Sequence, residues 1–383
     1  MDFRESEEQE MLRETIAKIA SRFGHSYYAD KARTGAKTNE LWDAIAEGGF
    51  VGVSLPESHG GGGMGLTGLS VVCEELSAAG CPLLLLVVSP AIAGTVIARY
   101  GTPDQQDRFL PGIASGRLKF SFAITEPDAG SNSHRLATVA TRDGDGYRLS
   151  GTKQFISGVD EADQILVVAR TGTDASGRAS LSLLVVPPDA PGLERHVIPM
   201  EIVAPEKQFV LFFDNVWVGE ENLLGREGDG LRQIFFGLNP ERVTSAAMAC
   251  GVGRYALTRA AEYARSRSVW GVPIGSHQGI AHPLARAKVE VELARLATAK
   301  AAFEYDTGLE AGESANMAKY AAAEAANFAL DQAIQTLGGN GLACEYGLAD
   351  IWGMTRLFRI APISREMILN FVAQHSLGLP RSY

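Results

Sequence analysis

The chain has 383 residues, with 35 Lys and Arg against 45 Asp and Glu, a formal net charge of −10. A hydrophobic content of 46% with 21% charged residues excludes wholesale disorder, and the acidic balance excludes the basic face that nucleic-acid binding needs. Four cysteines (Cys73, Cys81, Cys250, Cys344) without CxxC or zinc-type spacing argue against structural zinc and a disulfide framework. The acidic start MDFRESEEQEMLRETI reads as a helix rather than a signal peptide, so a soluble, cytoplasmic protein of about two to four domains is expected.

Residues 1–119 read as helices. Phe3, Met11, Leu12, Ile16, Ile19 and Phe23 fall on one helical stripe behind an acidic first turn. A second helix, Asn39–Gly48, stops at paired glycines, a third is Leu66–Ala79, and Gly101–Asp104 caps a further helical turn running to Leu110. From Leu76 to Ala98 there is no charge, a length that would allow a membrane span, but Pro82, Ser89, Pro90 and Gly94 interrupt it. Pro90 would break a spanning helix, so the segment reads as two buried helices meeting at a turn.

Between Arg117 and Trp217 the texture becomes short and β-rich: KFSFAIT, ATVATR, GYRLSGTKQFI, QILVVAR, SLSLLVV and QFVLFF. Asp143-Gly144-Asp145-Gly146 supplies a hairpin turn, and strands without intervening helices predict an antiparallel sheet or barrel rather than βαβ units. After Gly230 the pattern is helical again: Leu231–Arg267, Ile280–Leu309, Ser314–Leu337 and Arg365–Gln374, rich in alanine as close bundle packing requires. The expected fold class is α+β, with an N-terminal α-helical domain (1–119), a middle antiparallel β domain (120–230) and a C-terminal helical bundle (231–383).

Gly63-x-Gly65-x-x-Gly68 spells a dinucleotide fingerprint, but no second strand of a βαβ unit follows, so a glycine loop ahead of a helix is the better account. There is no Walker A, HExxH or GxSxG motif, and only His277 and His282 lie close together, poorly spaced to share a metal; no metal site is predicted. Two segments carry more. Phe122-Ala-Ile124-Thr125-Glu-Pro-Asp-Ala-Gly130-Ser131-Asn132 is a strand running into a tight turn whose N–H groups and hydroxyls could hold an anion or a ring carbonyl. Leu337-Gly338-Gly339-Asn340-Gly341 lets the backbone approach a ligand closely. Either segment alone is compatible with an ordinary loop.

Taken in order, these segments resemble the acyl-CoA dehydrogenase flavoprotein family over essentially the whole chain. The motifs are Leu55-Pro56-Glu57 with its glycine loop, Thr125-Glu-Pro…Gly130-Ser131, Gly151-Thr-Lys-Gln-Phe155-Ile-Ser157, Asn222-Leu-Leu-Gly225, Arg267-Ser-Val-Trp270-Gly, His277-Gln278 and Gln335-Thr-Leu-Gly338-Gly339-Asn340-Gly341. The resemblance implies the acyl-CoA dehydrogenase fold (helical domain, β domain, C-terminal four-helix bundle), FAD as cofactor, an acyl-CoA substrate, a homotetramer and an electron-transfer flavoprotein as acceptor. It implies that Phe122, Ile124 and Thr125 line the isoalloxazine with Gly130 and Ser131 nearby, that Phe155 lies where relatives often carry tryptophan, and that the Ser157 hydroxyl replaces a threonine near N5. Arg267, Trp270, His277 and Gln278, with Gln335, Gly338, Gly339 and Ser364, match FAD-binding positions, many of them reached across a subunit interface. Ser131, Asn239 and Arg242 match positions that contact the CoA part of the substrate.

Dehydrogenation removes a proton beside the thioester while hydride leaves the next carbon for flavin N5. It needs a carboxylate base in a dry pocket and donors on the thioester oxygen. Many relatives carry the base in a Tyr-Glu-Gly-Thr segment. Here the corresponding run is Ala361-Pro362-Ile363-Ser364, without a glutamate and without the N–H that would serve as second oxyanion donor. Glu366 matches an additional glutamate of relatives, read as structural. Glu241 matches the position from which the isovaleryl and long-chain branches supply their base, against the alternative that it pairs with a nearby arginine. The thioester oxygen would then rely on the FAD ribityl hydroxyl or on a neighbouring N–H such as that of Ile363. The rivals are a desulfinase, reductase or oxidase variant of the family, and a catalytically silent flavin-binding protein.

Overall fold

The computed structural model describes residues 4–132, 135–173 and 179–381; Phe3, counted on the first stripe, lies outside them. The N-terminal helices are α1 (Glu7–Ala20), α2 (Gly24–Thr34), α3 (Asn39–Glu47), α4 (Gly65–Ala78), α5 (Thr95–Tyr100) and α6 (Pro103–Ala114). Leu12, Ile16 and Ala20 of α1 face the core, and Ser6 caps the helix in a capping box with Gln9. The sequence reading missed α2, whose apolar face is narrow: only His25, Tyr28 and Ala29 are buried.

The charge-free segment is buried, and no described helix is long and apolar enough to cross a membrane. Two helices do meet at a turn, but at Ala79–Pro82. Pro90 breaks nothing: it sits inside a π-helical stretch, Val87–Gly94, that runs straight into α5. A widened turn accommodates a residue that has no N–H to give to the ladder.

The middle layer is an eight-stranded sheet: β1 (Phe120–Ala123), β2 (Val139–Asp143), β3 (Gly146–Ser157), β4 (Gln164–Thr173), β5 (Ala179–Val186), β6 (Leu193–Ile198), β7 (Gln208–Gly219) and β8 (Leu223–Leu224), in order β6-β7-β3-β2-β4-β5-β8 with β1 on β4. The Asp143–Gly146 hairpin forms as the dipeptide pattern requires. Most ladders of the sheet are antiparallel, as expected, with one departure: β1 and β2 both run parallel to β4. One face of the sheet packs on α6, where Phe109 meets Phe120 edge-on, and the other closes on itself around Tyr147, Leu149, Leu211 and Val216.

The C-terminal part comprises α7 (Gly230–Ser266), a hairpin of β9 (Ser268–Val269) and β10 (Val272–Pro273), α8 (Gln278–Asp306), α9 (Gly312–Leu337), and short α10 (Trp352–Leu357) and α11 (Arg365–Phe371). Three long helices thus form the bundle and the fourth is fragmented. Their alanines share one core with α1, α3 and α4. At Gly237 α7 crosses the 87–100 helix so closely that a Cβ would lie 2.8 Å from Val96 Cγ2. The glycine loop Gly63–Gly65 leads into α4, whose first N–H groups are taken by Asp306 of α8 (Leu66 N–H to Oδ1 2.7 Å, Thr67 N–H to Oδ2 2.9 Å). A carboxylate of the protein's own occupies the place a dinucleotide phosphate would need.

Candidate functional site

The β domain brings the first group of residues together. Gln154 N–H donates to Thr125 O (2.9 Å), and Ser121 Oγ donates to Ser157 O (2.9 Å), tying both ends of the β1 turn to β3. Behind them Lys153, with no exposure of its side chain, donates to Ile124 O (2.9 Å) and Glu126 Oε1 (2.8 Å). Glu126 also accepts from Ala137 and Thr138 N–H. Burial alone would raise Glu126; the Lys153 charge and these donors outweigh it and hold the carboxyl below its ordinary value. Ile124, Thr125, Phe155 and Ser157 are thereby tied together along β1 and β3, Phe122 is buried in the core beneath them, and Gly130 and Ser131 lie exposed beyond the turn.

Phe155 has φ +57° at an irregularity of the β3–β7 ladder, and its ring is 51% exposed. A bulky side chain in the left-handed region, held out from the sheet, is strain of the kind found at binding sites. An exposed aromatic face beside the hydroxyls of Thr125 and Ser157 fits a planar, hydrogen-bonding ring such as isoalloxazine. Ser157 Oγ donates to Gln208 Oε1 (3.0 Å), so Gln208, which sequence reasoning missed, orients that hydroxyl.

The second group lies on the bundle. Arg267, Leu337 and Asn340 line a mainly polar pocket of about 430 Å³ together with Arg259, Tyr263 and Tyr346. Asn340 Nδ2 donates to both tyrosine hydroxyls (3.1 and 3.2 Å). Gly338 and Gly339 are exposed, with open space where a Cβ would stand. Trp270 forms the hairpin tip with Gly271, both at positive φ, as a two-residue turn of this hand demands. Its indole is 89% exposed, and His277 is the ring beside it (6.1 Å, T-shaped). Two arginines, open glycines and an exposed indole suit a diphosphate and a purine. None of Phe122, Ile124, Thr125, Phe155 and Ser157 lines this pocket. Ser364 uses its hydroxyl to cap α11, accepting Met367 N–H.

The carboxylates separate sharply. Glu366 is exposed and paired with Arg365 (2.6 Å), which pulls its pKa down. Glu241, half-buried on α7 one residue after Pro240, makes no hydrogen bond or ion pair through its carboxyl among the described residues. The arginine beside it does not take it: Arg242 Nη1 donates instead to Asn239 Oδ1 (2.8 Å). Desolvation by the surrounding protein pushes Glu241 up to about 7, against the opposing charges of Arg242 and Lys319. Lys319 of α9, missed in the sequence, is buried and donates to the carbonyls of Phe358 and Ile363 (2.6 Å to the latter). Those two bonds bracket Ala361-Pro362. The Ile363 N–H has no partner among the described residues. A crevice of about 230 Å³ opens beside Pro240, lined by Leu55, Leu66, Arg99, Phe236 and Tyr305 among others.

With this geometry in hand, comparison with known proteins is decisive about class. The chain matches the acyl-CoA dehydrogenase N-terminal domain over residues 6–117, the middle domain over 121–216 and the C-terminal domain over 228–377. It is 56% identical over 383 residues to acyl-CoA dehydrogenase FadE12 of Mycobacterium tuberculosis, covering 100% of this chain and 99% of that protein. Among solved structures it is similar to the glutaryl-coenzyme A dehydrogenase glutaryl-CoA complex (TM-score 0.94, 31% identity, 100% of this chain and 98% of that one). It is also similar to a chain of the electron transferring flavoprotein structure of Acidaminococcus fermentans (TM-score 0.93, 28% identity, 98% and 100%). The chain belongs to the acyl-CoA dehydrogenase family, FAD-dependent oxidoreductases that act on the CH–CH bond of an acyl-CoA.

Proposed function

We propose that this acyl-CoA dehydrogenase uses Glu241 as its base and yields a trans-2-enoyl-CoA. The observation that carries the proposal is the Glu241 carboxyl, unpaired, desolvated and raised to about 7. A base with that pKa is half-ionised near neutral pH and strong enough to take a proton acidified by a neighbouring thioester. Arg242, held by Asn239, lies next along α7 and suits the anionic and hydrogen-bonding groups of CoA. Ser131, at the exposed end of the β1 turn, is the third CoA contact in this reading.

FAD supplies the acceptor for the hydride leaving the β-carbon. Phe122, Ile124, Thr125, Phe155 and Ser157 would hold its ring, and Arg267, Trp270, His277, Gln278, Gln335, Gly338 and Gly339 its diphosphate and adenosine. The free Ile363 N–H is the donor we assign to the thioester oxygen in place of the N–H that Pro362 lacks. One such donor is worth about 3 kcal/mol to a transition state.

The exposed apolar stripe of α8 (Val289, Leu293, Leu296, Phe303) and the bare Trp270 indole support assembly into a homotetramer in which partner subunits complete each FAD site. An electron-transfer flavoprotein is the acceptor we infer from the family. The absence of an N–H at Pro362 favours one second reading, a family variant such as a desulfinase, reductase or oxidase. Incubating the holoenzyme anaerobically with short, branched and long acyl-CoAs and analysing products by mass spectrometry separates the two. Loss of two hydrogens from some thioester supports dehydrogenation, whereas no such product from any of them contradicts it.

A further inference from the structure

Lys319 is a cation buried in an alanine-lined helix face, and no surface role accounts for it. It lies on the buried side of α9 with Ala315, Ala322 and Ala326, and its ammonium reaches out of the bundle to two carbonyls of one loop, Phe358 and Ile363. That loop crosses Ala361-Pro362 and presents the unpartnered Ile363 N–H. A buried ammonium left without counter-charge is costly; α9 packs along α7, and the acids whose charge acts on Lys319 are Glu241, Glu324 and Glu366, none of them in an ion pair with it.

Building on the reading of Glu241 as base, we infer that Lys319 is the positioning residue of this site: it fixes the 358–363 loop against α9, and its charge favours the carboxylate form of Glu241 on the neighbouring α7. The charged groups around the pair are few. Glu241 faces Arg242 from its own helix and Lys319 from α9; Lys319 faces Glu241 and Arg242 from α7, Glu324 from α9 and Glu366 from α11. Glu324 is engaged by Arg359 and Arg365, and Glu366 by Arg365, which leaves Glu241 as the acid without an ion pair of its own. The ammonium thus does two things that would otherwise need two residues. Its hydrogen bonds anchor the loop on both sides of the Pro362–Ile363 peptide that carries the donor N–H, and its charge favours the carboxylate form of the base.

The test separates charge from hydrogen bonding in the FAD-loaded enzyme. Lys319→Gln keeps N–H donors and removes the charge, Lys319→Met removes both, and Lys319→Arg keeps both. Each is compared for the pH profile of flavin reduction by acyl-CoA and for the infrared carboxyl titration of Glu241 in the absence of substrate, identified by its loss in Glu241→Gln. Loss of the positive charge must raise the Glu241 pKa. The acidic limb and the infrared titration should therefore move up by about one pH unit in the Gln and Met variants, the order expected for one unit charge acting through the protein interior. Near pH 6.5 this is about a tenfold loss that recovers at pH 9, and the Arg variant should titrate as wild type. Unmoved titrations in folded Gln or Met variants overturn the inference. So does a failure of both to fold while Lys319→Arg folds, since Lys319 would then be structural only. Undiminished flavin reduction in Glu241→Gln would instead overturn the reading of Glu241 as base.

Discussion

Glu241 and Glu366 have the same side chain and opposite fates, and the difference is their partners. Glu366 sits in water against Arg365; Glu241 is enclosed and its neighbouring arginine is turned to Asn239. Because burial raises the Glu241 pKa, the reactive carboxylate grows in as pH rises, so flavin reduction should increase through about pH 7 and level off above it, as a pH–rate profile would register. Lys153 shows the structural use of a buried charge. Its desolvation lowers it to about 8, an unfavourable burial that the bonds to Ile124 and Glu126 offset. Lys153→Met leaves Glu126 buried without its cation and should lower stability by about 3–5 kcal/mol in denaturant unfolding, with loss of FAD retention. Since Glu126 is held below its ordinary value, its contribution is present above the unfolded carboxylate pKa and lost as the pH falls below about 4.5, which acid melts would detect. At this scale a residue was legible as a candidate wherever a motif carried it, as for Thr125 and Glu241. Lys319 and Gln208 were not, because their work is done on backbone and side chains distant in sequence.

Phe155 belongs to the element scale, since a ladder irregularity of β3 against β7 turns its ring outward at positive φ. Phe155→Gly should leave melting temperature unchanged or raise it by the equivalent of about 1 kcal/mol of relieved strain, yet weaken FAD binding. Equilibrium dialysis beside a thermal melt would register both signs. A loss of stability with intact FAD affinity would mean that the ring is packing rather than contact. Long helices and the Asp-Gly hairpin could be read from periodicity and turn chemistry. The parallel placement of β1 and β2 on β4 could not, because strand partners are chosen by non-local packing of both sheet faces. Pro90 misled for a related reason: a largely buried π-helical stretch absorbs a residue that local rules treat as a break.

For the molecule as a whole, the α–β–α order was written in the texture of the chain, while the proposed assembly has no signature in its periodicity. The outward stripe Val289, Leu293, Leu296 and Phe303 on α8 is large for a surface left bare. Leu293→Asp combined with Leu296→Glu should shift the protein to smaller species in light scattering and lower FAD content in step. Smaller species that retain full FAD would separate assembly from cofactor binding. The central claim, that this fold delivers an acyl-CoA to a desolvated Glu241, is tested most directly by anaerobic titration of wild type and Glu241→Gln holoenzymes with the acyl-CoA that wild type turns over, following the flavin's visible band. We predict that wild type bleaches and that Glu241→Gln binds the thioester yet bleaches at least about a thousandfold more slowly. Equal bleaching of the two proteins would contradict the account and remove Glu241 from the chemistry.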